Sequence, residues 1–78
     1  MIKIGFYAQL KDFFGDEAEL EIPPGAVASD IRAALAAKNA LAAEWLKVSR
    51  LASDDAFVAE DEILSANKYY LLPPSSGG

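Results

Sequence analysis

Apolar and polar residues alternate from the first positions of the chain. Ile2, Ile4, Phe6 and Ala8 interleave with Lys3, Gly5, Tyr7 and Gln9, a period of two that predicts a half-buried strand. Ala18, Leu20 and Ile22 interleave with Glu19 and Glu21, predicting a second strand with an acidic outer face. Residues 10–17 between them hold Phe13-Phe14-Gly15-Asp16. Gly-Asp is a turn signal, so the two strands are expected to form a hairpin with a long loop. Pro23-Pro24-Gly25 stops the second strand, because proline removes a ladder donor and glycine permits a sharp turn. Nine of the eighteen residues from 26 to 43 are Ala, the strongest helix former. Ile31 and Leu35 lie one turn apart, with Ala28 and Ala34 nearby, so one apolar stripe should face a sheet. Val27 stands where a hydroxyl cap would be useful; Ser29 and Asp30 complement the helix dipole. Lys38 and Asn39 mark the expected end of this helix. Leu41 and Trp45 suggest a short second helical segment.

The second half is less regular. Residues 48–51 are a short strand candidate and Ser53-Asp54-Asp55 a turn. Residues 56–58 read as a very short edge strand. Glu60-Asp61-Glu62 is an acidic turn, followed by the apolar pair Ile63-Leu64 and a turn at Ser65-Ala66-Asn67. Tyr69-Tyr70-Leu71-Leu72 is a continuous apolar run, as expected of a central strand buried on both faces. The order β-β-α-β-(β)-β predicts an α+β fold of the β-grasp, or ubiquitin-like, kind. It has a mixed sheet of four or five strands, one main helix packed across it, and a flexible C-terminal tail. The right-handed crossover rule places the last strand parallel to the first. Residues 1–72 are expected to form the domain and residues 73–78 the tail.

Composition narrows the function. The 78 residues are 53% hydrophobic and 24% charged, too apolar for a disordered chain and too few for a second domain. There is no Cys and no His. Disulfides, thiolate chemistry, imidazole zinc sites and His-based acid–base catalysis are therefore excluded. The net charge of −5 argues against nucleic acid or an anionic membrane as the main partner. No apolar run approaches the roughly 20 residues of a membrane span. The chain enters its first strand at Ile2 without a leader pattern. A cytoplasmic protein is the expectation.

The C-terminus is the sharpest feature. After Leu71-Leu72, the chain reads Pro73-Pro74-Ser75-Ser76-Gly77-Gly78. Two prolines favour an extended conformation, and six such residues would reach roughly 18–19 Å. Small residues can thread a narrow channel, and glycine lets backbone approach a ligand closely. The one distinctive group at the tip is the Gly78 α-carboxylate. Once activated, for example as an acyl-adenylate, it could accept a sulfur or amine nucleophile. The plain alternative is a floppy terminus without a role.

The ending Leu71-Leu72-Pro73-Pro74-Ser75-Ser76-Gly77-Gly78 resembles the apolar-apolar-Pro-Pro-x-x-Gly-Gly close of the molybdopterin synthase small subunit family. That family comprises the molybdopterin-converting-factor sulfur carriers. Ile4-Gly5-Phe6-Tyr7-Ala8-Gln9-Leu10-Lys11 resembles its opening strand, and Asp30-Ile31-Arg32-Ala33-Ala34-Leu35 its helix. The resemblance implies that Gly78 is adenylated by an E1-like enzyme and converted to a thiocarboxylate. The tail would then enter the large subunit of molybdopterin synthase and donate sulfur to the molybdopterin dithiolene. Gly77 and Gly78 would be the reacting pair. Leu71, Leu72, Pro73, Pro74, Ser75 and Ser76 would contact partners. The implied partners are that large subunit, the adenylating enzyme and a sulfur-donating enzyme. The chain would be a non-catalytic subunit that binds no cofactor tightly and no metal, with ATP (as AMP) used by the activating enzyme. Ser75, Ser53 and Ser65-Ala66-Asn67 depart from the family pattern. A thiamine-type or other sulfur carrier, a ubiquitin-like modifier conjugated through Gly78, and a binding module with an inert tail remain open alternatives.

Other residues have bland readings beside their functional ones. Tyr69 and Tyr70 lie on opposite strand faces; either is a packed ring or an interface residue. Phe13 and Phe14 either cap the core or form an exposed patch. Glu60-Asp61-Glu62 with Asp54-Asp55 is a solvated acidic surface or a hard-cation site, without calcium-loop spacing. Trp45 packs on the core or anchors an interface. The acidic surface aids solubility or steers the domain to basic grooves.

Overall fold

The computed structural model describes residues 1–74; Ser75, Ser76, Gly77 and Gly78 lie outside the described residues. Four strands form one mixed sheet in the order β2-β1-β4-β3. They are β1 (Ile2–Phe6), β2 (Glu17–Leu20), β3 (Arg50–Ala52) and β4 (Lys68–Leu72). β1 and β2 pair antiparallel, with Ile4 opposite Ala18. β1 and β4 pair parallel, with Ile4 opposite Tyr69 and Phe6 opposite Leu71. β3 joins the far edge of β4 antiparallel, with Leu51 opposite Leu71 and Arg50 opposite Leu72. This is the β-grasp arrangement predicted from element order, with four strands.

Alternation decides which face is covered. Ile2, Ile4, Phe6, Leu20, Leu51, Tyr69 and Leu71 point into a core shared with Ile31, Leu35 and Leu46. Ile31 and Leu35 are fully buried, and burial of each is worth about 1.5–3 kcal/mol. The Ala-rich segment supplies α2 (Ala28–Lys38). It starts without a hydroxyl. The Val27 N–H donates to Asp30 Oδ2 at 2.8 Å, and the Asp30 N–H donates to the Val27 carbonyl at 3.0 Å. Asp30 thus satisfies the Val27 N–H from the third helical position, and the Val27 carbonyl takes the first-turn N–H that a side-chain hydroxyl would otherwise accept. Asn39 ends α2: its side chain accepts from the Leu41 N–H and donates to the Phe13 carbonyl. A single turn of 3-10 helix (Ala40–Ala42) leads into α3 (Ala43–Val48).

Several local expectations shift. The hairpin loop is ordered as a 3-10 turn (Ala8–Leu10) and a short helix, α1 (Lys11–Phe14). Buried Leu10 and the stacking of Phe14 on Phe6 (4.9 Å between centroids) hold it to the core. Phe13 and Phe14 therefore cap the core, and Trp45 packs partly against it. The strand expected at 48–51 begins only at Arg50, because Val48 completes α3. Residues 56–58 make one bridge, Ala52 to Phe57, rather than a strand. The run Tyr69–Leu72 is central yet not buried on both faces. Tyr69 and Leu71 are buried, whereas Tyr70 and Leu72 are half-buried, because among the described residues the helices cover one side of the sheet.

Candidate functional site

The ladder fixes where the chain leaves the domain. Leu71 is bonded into β4 between Phe6 of β1 and Leu51 of β3. Leu72 is still in register with Arg50. Pro73 follows at once, half-buried, and Pro74 is exposed. The strand is thus held on two sides up to Leu71 and by β3 alone at Leu72, and proline ends the pairing because it has no N–H to give. Leu71 was expected to seat the tail in a partner. It is fully buried, so it anchors the strand, and only Leu72 of the pair offers surface. Ser75, Ser76, Gly77 and Gly78 lie outside the described residues.

Beside this exit lies the uncovered sheet face. Register places Lys3, Gly5, Glu17, Glu19, Lys68 and Tyr70 on it together. Gly5 permits a close approach there: a Cβ would sit 3.1 Å from Cδ1 of Tyr70, tighter than ordinary contact, and the ring would have to shift. The Tyr70 ring lies over this gap and meets Tyr7 at 6.1 Å between centroids. Lys68 forms an ion pair with Glu17 and stands 5.3 Å from the Tyr70 ring. The hydrogen bond and charge of Lys68 hold the Glu17 carboxyl below its usual range, and Glu17 raises the Lys68 ammonium in turn. The Asp54 carboxylate beside the Tyr70 hydroxyl raises that phenol. At the other edge, Arg50 lies over the Phe57 ring at 3.8 Å. The face is therefore aromatic and charged, with acids at the β2 edge and a guanidinium at the β3 edge. Sequence reading missed Arg50, Phe57, Tyr7 and the Lys68–Glu17 pair. Their alternation was visible, but only strand order shows which residues share a face.

The turns next to the exit are closed by side chains. Ser53 Oγ accepts from the Asp55 and Ala56 N–H groups at 3.3 and 3.4 Å, so serine serves the turn here. The Tyr69 hydroxyl accepts from the Ser65 and Ala66 N–H groups, each at 2.8 Å. Tyr69 is thus a core ring with a structural hydroxyl, and Tyr70 is the surface member of the pair. Glu60 is engaged by Arg32, at 2.5 and 3.0 Å, which lowers its carboxyl. Among the described residues no group of three or more Asp or Glu is assembled to hold a metal ion. No helix of the described residues is long and apolar enough to cross a membrane. The site offers a paired exit strand and an uncovered aromatic and charged sheet face; it offers no thiol or imidazole.

No family model matches the chain, and no curated protein matches it. Solved structures do. One is "Putative molybdopterin converting factor, subunit 1 from Pyrococcus furiosus", with a TM-score of 0.79, 23% identity, and coverage of 95% of this chain and 97% of that one. Another is SAMP1 from Haloferax volcanii, with a TM-score of 0.76, 20% identity, and coverage of 99% and 98%. The similarity runs over nearly the whole of each chain and shows a shared fold.

Proposed function

We propose that the chain is a sulfur carrier: residues 1–72 are the domain that partners grip, and residues 73–78 are a tail ending in a reactive Gly78 carboxylate. The observation that carries this reading is the β4 exit. A central strand, laddered to β1 as far as Leu71 and to β3 as far as Leu72, runs straight into Pro73-Pro74, and the sequence beyond them is Ser-Ser-Gly-Gly. The shared fold with a structure titled as a molybdopterin converting factor subunit supports the same reading.

The chemistry then belongs to the terminus and to enzymes that act on it. A carboxylate oxygen of Gly78 attacks the α-phosphorus of ATP and expels pyrophosphate. A hydrosulfide equivalent from a sulfur-donating enzyme adds to the acyl carbon and AMP leaves, giving the thiocarboxylate. The large subunit of a molybdopterin synthase takes that sulfur into the dithiolene. Gly77 and Gly78 suit a narrow channel because neither carries a Cβ. The absence of Cys and His leaves the thiocarboxylate no internal thiol or imidazole to react with.

The test is to express the native chain with an E1-like adenylating enzyme and a sulfur source, and to measure the intact mass. Exchange of one oxygen for sulfur at Gly78 is expected. An unchanged mass, where a known carrier is converted, overturns the reading. Lysine-linked adducts on other proteins would assign the terminus to conjugation instead. Sulfur transfer in the presence of a molybdopterin synthase large subunit tests the pathway.

A further inference from the structure

At the corner where the chain leaves the sheet, the fold presents an exposed cation. Arg50 is exposed, pairs with Leu72 in the ladder, and holds its guanidinium carbon 3.8 Å from the Phe57 ring centroid, a separation typical of stacking. Phe57 is 52% exposed and is fixed to the sheet by its bridge to Ala52. Lys11, Arg32, Lys47 and Lys68 each sit against a carboxylate. Arg50, like Lys3 and Lys38, has no such partner among the described residues, in a chain of net charge −5, and of the three it alone is held against an aromatic ring.

Stacking occupies the flat face of a guanidinium and leaves its N–H edges pointing outward. That fork matches a carboxylate in two parallel hydrogen bonds, and the ring beneath pre-sets its plane. On the same face Glu17 and Glu19 lie on β2, Lys3 and Lys68 on the two central strands, and Arg50 on β3, with Lys68 already paired to Glu17. A partner carboxylate is therefore repelled at the β2 edge and attracted at Arg50.

Resting on the carrier reading above, we propose that Arg50 and Phe57 form a clamp for an Asp or Glu side chain of the adenylating enzyme. Leu72 receives an apolar side chain of the same enzyme. The clamp sets the tail's starting point and direction, so the enzyme's active site is reached by the tail alone. Arg50 is a positioning residue; it touches no reacting atom.

The experiment is steady-state thiocarboxylation of the wild-type chain by an E1-like adenylating enzyme that converts a known carrier. Arg50→Glu, Arg50→Lys and Phe57→Ala are compared across a salt series, with thermal unfolding of each variant alongside. Arg50→Glu should raise KM about tenfold or more, as an interfacial charge pair turned repulsive does, with kcat unchanged. Arg50→Lys should fall between, because an ammonium cannot form the fork. Wild-type KM should rise with salt more steeply than that of Arg50→Glu. A wild-type KM for folded Arg50→Glu overturns the clamp and leaves the carrier reading standing. Failure to convert wild type overturns both. A wild-type dimer in solution that Arg50→Glu dissolves would assign the clamp to a second copy and overturn the proposal.

Discussion

Arg32 ties three segments to α2, and its removal gives a sharp test of which contacts carry stability. Nε donates to the Leu46 carbonyl at 3.0 Å and Nη2 to the Ser49 carbonyl at 2.9 Å. The guanidinium also meets both oxygens of Glu60. The ion pair looks dominant, but Glu60 is 67% exposed whereas the Arg32 side chain is 18% exposed. An exposed partner is well solvated when released, so Glu60→Gln should cost at most about 1 kcal/mol. The two carbonyls end α3 and start β3, and they are part-buried. A hydrogen bond to a charged group contributes about 1.5–3 kcal/mol. Allowing some replacement by water, Arg32→Met should cost about 2–4 kcal/mol while keeping the aliphatic stem packed. A domain of this size has about 4–12 kcal/mol in all, so the loss would be large. Urea unfolding followed by circular dichroism reads it as a lower midpoint at unchanged slope. Equal losses from Arg32→Met and Glu60→Gln would refute the assignment of stability to the carbonyls.

Four further outcomes are open to measurement. Ala8 is exposed and holds φ at 51°, which costs about 1–2 kcal/mol for a residue with a Cβ. Ala8→Gly should therefore stabilise by about 0.5–1 kcal/mol after the added unfolded-state freedom of glycine is subtracted, read as a higher urea midpoint. Leu35→Ala empties a fully buried position on α2 and should cost about 2–5 kcal/mol in the same assay. Glu17 and Glu60 have lowered carboxyl pKa values in the folded chain, so their stabilisation exists above the ordinary carboxylate range and is lost as pH falls through the lowered values. Between about pH 5 and 3 the wild-type urea midpoint should fall more than that of the Glu17→Gln, Glu60→Gln double variant. Deleting Gly77 and Gly78 should abolish thiocarboxylation and leave the urea midpoint unchanged; a large loss of stability would contradict a tail separate from the domain.

The sequence was most legible where a period governed burial. The alternation Ile2-Ile4-Phe6 and the Ile31/Leu35 pair placed β1, α2 and the core face, because side-chain direction follows directly from backbone period. Legibility failed where tertiary contact overrides local pattern. Tyr69-Tyr70-Leu71-Leu72 reads as uniformly apolar, yet the uncovered face makes Tyr70 and Leu72 surface. Residues 10–14 looked like plain loop, and packing of Leu10 and Phe14 folded them. The helix start at Val27 lacked the usual hydroxyl, and Asp30 supplied the bond from within the helix. At the site, the Pro-Pro-Ser-Ser-Gly-Gly ending was readable from the chain alone. Arg50 and Phe57 were not, since a cation–π contact between positions seven residues apart has no signature in an irregular segment.

The parallel pairing of β1 with β4 has a mechanical consequence. Pulling on the chain beyond Leu72, against a grip on the start of β1, loads the β1–β4 hydrogen bonds sideways and all together. An antiparallel hairpin pulled at its two ends would instead open one bond at a time. Between β1 and β3, the exit strand is a shear joint loaded on both flanks. A force applied to the chain after Leu72 is therefore resisted by both flanking ladders before the domain unravels.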